Sequence, residues 1–579
     1  MKKKISLLLA VCMLLGLMTA CGKSNSYTGE KILHISSSSA QTTANPYTAS
    51  ASVDNTFCGY LTSALYGNIP NLENGRSTLQ AVLAESEPVD VSGNGTVWRM
   101  TVRKDAQWSN GEPINADTFM YGWKMCLDPK LLCNKASNLA SSYVEIVNAV
   151  DYYMQGSTDK TVAWEDVGIK KIDDRTLEVT LTDEYSVSEV MRHFSQQSAF
   201  PVYEPMFEAG MNEDRTETTY GTDKTQIMCC GSFCLGDWIK GSEIHYIKNE
   251  SWPFADLIKL DGMNNRVVKD NNTQIQMFEA GELDYVSLGT DGIEKYEEDP
   301  RFRVGTSNYI TTIDFCDTNP KEPILANENF KKALYYGTDR ETVAGLTKDA
   351  PAVWLISHMA VSYVDGTLYR DLPVSNEYLT MENYGYDPDL ARECFDKAME
   401  EEGLKSVDIS MLYSTDSAAV KVMVEYLQEA WPKIFGEDRF RLTLNGMPNS
   451  QALDQKKSCK ENPEAYELAV SRWAMAAGKY NPIRSLEVYK TDYLRRNAPY
   501  HCPEADALYK QAMTAEVRKD EVKLAEVTAQ MEKVLLENYA TIPVYEECSF
   551  VMFNDRVQLI LEEEDSTLGW ALKYADIIA

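Results

Sequence analysis

Alternating apolar and polar residues mark several strands along this chain. Trp98, Met100 and Val102 alternate with polar neighbours, which is typical of a strand with one buried face. The stretch "GSFCLGDWIKGSEIHYIKNESW" predicts a hairpin that turns at Lys240-Gly241. "KILHISSSS" predicts the first strand of the chain, and "TIPVYEECSFVMF" predicts a return to strand close to its end.

Other stretches have the three-to-four-residue apolar spacing of helices. In "YDPDLARECFDKAMEEEGLK", Asp387 is placed to cap a helix, Pro388 to occupy its first position and Gly403 to end it. The long run "PEADALYKQAMTAEVRKDEVKLAEVTAQMEKVLLENY" predicts one or two amphipathic helices. Helices and strands interleave along the whole chain, and no repeat of 20–50 residues is visible. The pattern therefore predicts α/β lobes.

The longest apolar run lies at the beginning of the chain. Three lysines precede sixteen uncharged residues, from Ile5 to Ala20, and Cys21 follows directly. The run is shorter than the ~20 residues that a membrane-spanning helix needs. A basic start, a short apolar middle and small residues before the cysteine predict a secretory signal peptide over 1–20. The "TAC" ending is similar to a bacterial lipoprotein signal, so we expect cleavage, lipid on Cys21 and a flexible tether over 21–30.

Composition limits the partners of the remaining 559 residues. Loss of residues 1–20 takes three lysines and no acid, so the formal net charge goes from −31 to −34. Nucleic acid and anionic lipid both need a basic face, so we expect neither as a partner. The length suggests three or more lobes, at ~100–200 residues each. We therefore expect an acidic protein that is held at a membrane by its lipid alone.

The sequence lacks the signatures of an enzyme. The five histidines are far apart, and no HExxH, G-x-S-x-G or phosphate-loop pattern occurs. Thirteen cysteines leave eleven after Cys12 and Cys21, an odd number that cannot pair completely within one chain. For the close group Cys229, Cys230 and Cys234, core packing is favoured over a metal or redox role. We therefore expect no catalytic residue, no cofactor and no metal.

A series of motifs resembles one family. "VWRMTVRKDAQWSNGEPINADTF" is similar to a segment of the ABC-importer solute-binding proteins of the oligopeptide class, solute-binding protein family five. The positions that carry the similarity are Arg103, Asn110, Gly111, Pro113, Ala116 and Asp117. The resemblance continues in the family's order through "IDDRTLEVTL", "AGELDY", "FKKALYYGTDRE" and "IPVY", over nearly the whole mature chain.

The resemblance implies a fold. Members have a periplasmic-binding-protein-like α/β fold of class II, or cluster C, in which two lobes joined by a hinge enclose the ligand and an extra domain is added. Carried over to this chain, the divisions are 28–55, 195–300 and 541–579 for lobe I, 56–194 for the extra domain and 301–540 for lobe II.

The resemblance also implies a binding site. Family members hold an extended peptide by backbone hydrogen bonds, and an acid in an Asp-Tyr-x-Asp-Pro-like stretch pairs with its amino terminus. The corresponding "SRWAMAAGKYNPIRSLEVY" lacks that acid and has Lys479 nearby. A buried core indole remains an alternative for Trp473. The predicted ligand-binding residues are Ser37, Ser38, Arg472, Trp473, Ala474, Tyr480 and Asn481.

The function implied is that of a lipid-anchored, extracytoplasmic and monomeric receptor, which captures an oligopeptide and presents it to ABC permease subunits. A modified or amino-blocked peptide, a sugar or another polar solute is the alternative ligand. An extracytoplasmic hydrolase and a surface sensor are the alternative classes of protein. The missing acid predicts that a free ammonium on the ligand gains little at this place.

Overall fold

The computed structural model describes residues 30–459, 461–473, 480–493 and 501–578, and its strands are numbered here in chain order. These are β1 (Ile32–Ser37), β2 (Tyr66–Asn71), β3 (Arg76–Ala81), β4 (Val89–Asp90), β5 (Val97–Thr101), β6 (Ile169–Lys171), β7 (Thr176–Thr180), β8 (Phe233–Ile239), β9 (Glu243–Lys248), β10 (Gly262–Val267), β11 (Tyr285–Ser287), β12 (Phe302–Phe315), β13 (Ala350–Pro351), β14 (Val407–Ser414), β15 (Phe440–Met447), β16 (Leu468–Trp473), β17 (Thr541–Phe553), β18 (Val557–Gln558) and β19 (Asp576–Ile577).

The α-helices of the described part lie between these strands in the order that the sequence pattern predicts. They span Ser52–Leu61, Ala116–Leu127, Ala136–Ser141, Ala149–Met154, Val187–His193, Glu204–Ala209, Asn271–Glu279, Thr290–Tyr296, Glu328–Tyr336, Arg340–Thr347, Pro388–Glu402, Ala418–Phe435, Asn449–Ser458, Pro503–Ala512, Ala515–Arg518 and Glu521–Glu537.

Two sheets organise the molecule. The first runs β1-β10-β9-β8, with β1 parallel to β10 and the other pairs antiparallel. The second runs β11-β17-β12-β16-β14-β15, with β13 added to β17. In this second sheet β14 is parallel to both β15 and β16, whereas the long strands β12 and β17 are antiparallel. The residue ranges of β11 and β17 fall in predicted lobe I, yet both strands belong to the same sheet as β12, which falls in predicted lobe II. The lobe boundaries stay predictions.

Smaller sheets come from the segment predicted to be the extra domain. β2 and β3 form a separate hairpin, and β4-β5-β7-β6 form a four-stranded antiparallel sheet. The predicted strand around Trp98 is β5, and the hairpin predicted to turn at Lys240-Gly241 is β8–β9. Both predictions are confirmed.

Local capping explains where the predicted helices begin and end. Asp387 accepts a hydrogen bond from the Leu390 N–H, and Gly403 ends that helix with a φ of 65°. The C-terminal helical run differs from the prediction because it forms three helices rather than one or two. The Asp520 side chain accepts from the N–H groups of Val522 and Lys523, so a new helix starts there and interrupts the run.

Two large apolar cores support the sheets. One joins the first sheet to the small sheets and includes Leu33, Phe57, Trp123 and Met263; the other packs helices on the second sheet and includes Ile313, Phe395, Trp431 and Ile542. Cys229 and Cys230 are buried in the first core and the partly buried Cys234 packs against it, in agreement with the packing role predicted for the three. The eleven cysteines from Cys58 to Cys548 are all free thiols. Among the described residues, no group of three or more potential ligands could hold a metal ion.

His193 provides a pH-sensitive element of this fold. It is fully buried; its Nε2 lies 2.9 Å from the Leu139 carbonyl, and the Val144 N–H donates to Nδ1 at 3.4 Å. Both contacts suit a neutral ring protonated on Nε2. Burial lowers the pKa of His193 from 6.5 to about 4. Between these values the unfolded chain binds the additional proton, so this group stabilises the fold above pH 6.5 and that contribution is lost as the pH falls towards 4.

We expect His193→Gln to remove that pH dependence, since glutamine can make both hydrogen bonds without charging. Relative to the variant, the wild type should lose up to about 3 kcal/mol of unfolding free energy across this window. Urea unfolding at a series of pH values measures this difference. Glu189, whose pKa burial raises to about 7, acts in the opposite direction and is present in both proteins. The exposed His501→Gln is the control, and parallel curves for the wild type and His193→Gln would refute the assignment.

Candidate ligand-binding site

One edge of β1 carries unused backbone groups. β1 lies at the end of the first sheet, and the carbonyls of Lys31 and Ser37 accept from the β10 side. Since alternate residues of a strand face opposite neighbours, the backbone groups of His34 and Ser36 face the free edge. The His34 C=O accepts from the Asp284 N–H, and its N–H donates to the Asp284 carboxylate. Within the described residues, the N–H and C=O of Ser36 therefore remain available.

The end of β16 has a comparable edge. β14 pairs with β16 only at Leu468 and Ala469, so the two strands separate beyond that point. The Glu467 C=O accepts from the N–H of Cys316, which directly follows β12. Because alternate residues of a strand direct their backbone groups to opposite sides, those of Val470 and Arg472 face the gap between β14 and β16. Lys456 Nζ donates to the Val470 C=O at 2.9 Å. The Arg472 backbone has no such partner among the described residues.

The Arg472 side chain forms one wall of a cavity beside this edge. Its guanidinium pairs with the Glu547 carboxylate and lies 4.5 Å from the centre of the Tyr309 ring. The hydrogen bonds that Arg472 donates to the Glu547 carboxylate raise the pKa of Arg472. The cavity is about 320 Å³ in volume, and Asp416 and Lys456 also line it. It lies where the parallel strands β14 and β15 end, which is the position where open α/β sheets bind ligands.

A junction lies where the β2–β3 hairpin meets the loop 361–371. The Leu79 N–H donates to the Val364 C=O at 3.2 Å, and Arg76 pairs with Asp371 at 2.6 Å. These contacts join a segment of the predicted extra domain to a segment of predicted lobe II. They enclose a second cavity, of about 140 Å³, which we call the junction cavity.

Aromatic rings and one arginine line the junction cavity. Arg192 Nη1 donates to the Tyr480 C=O, and the guanidinium lies 6.0 Å from the centre of the Tyr480 ring. The Tyr143 and Tyr480 rings meet edge to face, with centroids 6.4 Å apart. Arg192 is 8% exposed, and burial lowers its pKa. This arrangement combines a buried cation with aromatic walls.

Asn481 lies next to the junction but in tighter surroundings. Its Oδ1 is buried without a hydrogen-bond partner among the described residues. It lines a small space of about 30 Å³ together with Glu189 and Arg518, which form an ion pair at 2.9 Å. One water needs about 10–15 Å³ of such space, so this space has room for water.

The predicted site residues therefore occupy separate places. The Ser37 backbone faces β10, its hydroxyl oxygen accepts a hydrogen bond from the Gln41 side-chain amide, and Ser38 is exposed. Arg472 lines the cavity beside β16, whereas Tyr480 and Asn481 lie at the junction. The Trp473 side chain and the whole of Ala474 lie outside the described residues, as do Lys479 and Cys21. The assignment of these residues to a ligand stays a prediction.

Sequence reasoning missed Ser36, Tyr143 and Arg192. The run of four serines from Ser36 marked the end of the first strand, but only the pairing with β10 shows which serine faces the free edge. Arg192 follows the helical stretch "VSEVM", with no motif around it. An arginine directly before a buried His-Phe pair was the available signal.

Comparisons with known proteins decide the family. The pattern of the bacterial extracellular solute-binding proteins of family 5 matches residues 78–492. The chain belongs to this family. Its two-lobe α/β fold is the one that the sequence predicted, and as a member it is a binding protein and not an enzyme.

Named relatives and solved structures give the family more detail. The oligopeptide-binding protein OppA of Bacillus subtilis is 26% identical over 493 residues, which cover 81% of each chain. The dipeptide-binding protein DppE of the same organism is 27% identical over 503 residues, covering 85% of this chain and 83% of DppE. The open, unliganded murein tripeptide-binding protein MppA superimposes with a TM-score of 0.75 at 15% identity, over 95% of this chain and 97% of MppA. Listeria monocytogenes OppA bound to peptide gives 0.63 at 22% identity, over 95% and 100%.

No helix among the described residues has the length and apolar character needed to cross a membrane.

Proposed function

We propose that this family 5 protein captures peptides between its two sheets and presents them to the permease of an ABC importer. The observation that carries the proposal is the pair of strand edges at Ser36 and Arg472, each with backbone groups unused among the described residues. A peptide could add to either edge as an extra strand. The peptide-binding names of OppA and DppE support this choice of ligand.

Binding of this kind depends on the main chain of the ligand more than on its side chains. A strand edge offers one N–H and one C=O at every second residue, and any peptide has groups to match. The cavity of about 320 Å³ beside Arg472 leaves room for a side chain and water. We therefore infer a low selectivity for peptide sequence, which suits nutrient uptake.

The test is a scan of alanine peptides of three to five residues in which one backbone nitrogen at a time is methylated. Methylation removes a donor and adds bulk, so at positions that meet a strand edge the affinity should fall at least tenfold, ~1.4 kcal/mol. Calorimetry on protein that has been unfolded and refolded to remove bound ligand gives these values. If the unmethylated peptides bind and methylation changes the affinity at no position, the result would argue against strand addition. No binding by any of them would argue against peptide as the ligand.

The amino terminus of the ligand receives a separate prediction. Because "SRWAMAAGKYNP" lacks the acid of the family's motif, acetylation of a peptide's amino terminus should leave its affinity unchanged or raise it. A buried ammonium without a charged acceptor would cost about 3–5 kcal/mol, which is the usual cost of removing one partner from a buried ion pair. Calorimetry on free and acetylated forms of each peptide measures the effect. A tenfold loss on acetylation would mean that an acid elsewhere replaces the missing one.

We further propose that the receptor is a monomer held outside the cell membrane by lipid on Cys21. The apolar run from Ile5 to Ala20, with lysines before it and the cysteine after it, supports this location. Cys21→Ser should abolish lipidation and shift the protein from the membrane fraction to the soluble or secreted fraction. Immunoblots of fractionated cells measure the shift, with Cys12→Ser as the matched control. A Cys21→Ser protein that remains in the membrane and is processed normally would refute the anchor.

A further inference from the structure

The junction cavity contains a cation with hydrogen-bonding capacity to spare. A guanidinium has five N–H donors. The hydrogen bond that Arg192 makes within the described residues is the one from Nη1 to the Tyr480 C=O. None of the described carboxylates lies within 4.0 Å of its nitrogens. Arg192 lines the junction cavity and the small space next to it, so its remaining donors face open volume.

The acids around Arg192 are engaged elsewhere. Glu189 pairs with Arg518, and the Glu521 carboxylate accepts from the Val364 N–H at 3.3 Å. Asp565, the other charged residue of the junction cavity, receives five hydrogen bonds at 2.8–2.9 Å from Ser77, Thr567 and Leu568. Burial opposes its ionisation, but the donated hydrogen bonds outweigh this and hold the pKa of Asp565 below its usual range.

The two charges of the cavity thus differ in what they offer a ligand. The anion of Asp565 is satisfied by the protein, whereas the cation of Arg192 is not. An ammonium entering the cavity would meet the Arg192 cation and an acid that already accepts five hydrogen bonds. A carboxylate would find a fork of N–H groups whose geometry matches its two oxygens.

We propose that Arg192 binds a carboxylate group of the ligand in the junction cavity. This inference rests on the proposed function, because it assigns one part of the same ligand. The volume of about 140 Å³ is close to that of a protein cavity of about 150 Å³ that binds benzene, so it accommodates one side chain or one chain end. The Tyr143 and Tyr480 rings enclose the carbon atoms of that group, and Asn68, Ser195 and Gln196 offer polar contacts at its edge.

The carboxylate could belong to an acidic side chain or to the carboxyl terminus, and paired tripeptides separate these sources. The first pair is N-acetyl-trialanine as free acid and as amide. The second pair places Glu or Gln first in N-acetylated, amidated Glu/Gln-Ala-Ala. In the wild type, at least one carboxylate peptide should bind at least tenfold more tightly than its neutral partner. The pair that shows the preference identifies the source.

In Arg192→Met and Arg192→Gln that preference should fall below about threefold, while Arg192→Lys should retain part of it. The preference is a ratio within one variant, so a uniform loss of affinity from a loosened junction does not alter it. Arg99→Met, which removes an exposed arginine paired with Glu178, is the control and should keep the wild-type ratio.

The outcomes distinguish this inference from the proposed function. Neutral peptides that bind without any preference in the wild type would overturn the role of Arg192 but not peptide capture. A preference that survives in both neutral variants would do the same. If neither these four peptides nor unacetylated trialanine binds to the wild type, the proposed function falls and this inference falls with it.

Discussion

Replacement of Arg370 by methionine is expected to lower the free energy of unfolding by about 3–5 kcal/mol, the usual cost of breaking a buried ion pair. The Arg370 side chain is 2% exposed and that of its partner, Glu532, is fully buried. Nη2 of Arg370 donates to the Glu532 carboxylate, while Nε and Nη1 donate to the carbonyls of Ile356 and Ser375. The variant would leave a carboxylate buried without its counter-charge and two carbonyls without their donors.

The Arg370–Glu532 ion pair lies where it can also fix the position of a loop. Glu532 belongs to the helix Glu521–Glu537 and also accepts from the N–H groups of Leu355 and Ile356. Arg370 lies near the end of the loop 361–371, in the irregular segment that follows Leu355. The pair therefore fixes the position of the loop that meets the β2–β3 hairpin. We expect Arg370→Met to weaken ligand binding as well as stability.

Urea unfolding, followed by circular dichroism, measures the change in stability. Lys397→Met removes an exposed pair with Glu393 and is the control, with an expected loss of at most ~0.5 kcal/mol. The double variant Arg370→Met/Glu532→Gln tests the cause, because neutral glutamine should recover at least ~1 kcal/mol of what the single variant loses. A single variant no less stable than Lys397→Met would show that the pair does not hold the segment.

Local elements of this fold could be predicted because their causes are local. Asp387 and Gly403 fix both ends of one helix through their own backbone and side-chain geometry. The turn at Lys240-Gly241 likewise depends on a few adjacent residues. By contrast, Asp520 divides the C-terminal helical run by capping, and the apolar spacing continues through it. Periodicity therefore predicted helix there but could not count the helices.

The strand edges and the junction depend on which distant segments meet. That Ser36 rather than Ser37 faces a free edge follows from the pairing of β1 with β10, far apart in sequence. The importance of Arg192 follows from the nearby acids being engaged by other groups, so that none of the described carboxylates pairs with it, and no sequence pattern records this. Arg472 was predicted as a ligand-binding residue through family resemblance alone; it lines the cavity beside the end of β16, and its role in binding stays a prediction.

The largest expected effect on binding comes from Gly366→Ala. Gly366 has a φ of +93°, and a Cβ at this position would lie 2.3 Å from the Ser77 carbonyl oxygen of the β2–β3 hairpin. Since the obstacle is backbone, the loop and the hairpin must separate to admit the methyl group. We predict that closure around a ligand brings the predicted extra domain and predicted lobe II together at this contact. Its loss should weaken peptide binding about tenfold to a hundredfold, ~1.4–2.7 kcal/mol.

Two measurements and one control variant test this prediction. Gly403→Ala places alanine at a similar φ of +65° with no atom within 4 Å, so it shares the backbone strain without the clash. Calorimetry with the acetylated tripeptides should show weaker binding to Gly366→Ala and unchanged binding to Gly403→Ala. X-ray scattering at saturating ligand should show a smaller radius of gyration in the wild type and in Gly403→Ala, but a reduced change in Gly366→Ala. Equal affinities and equal compaction in all three proteins would mean that the hairpin and the loop 361–371 do not take part in closure, because an obstacle of one methyl group against a backbone oxygen cannot be absorbed by side-chain rotation alone.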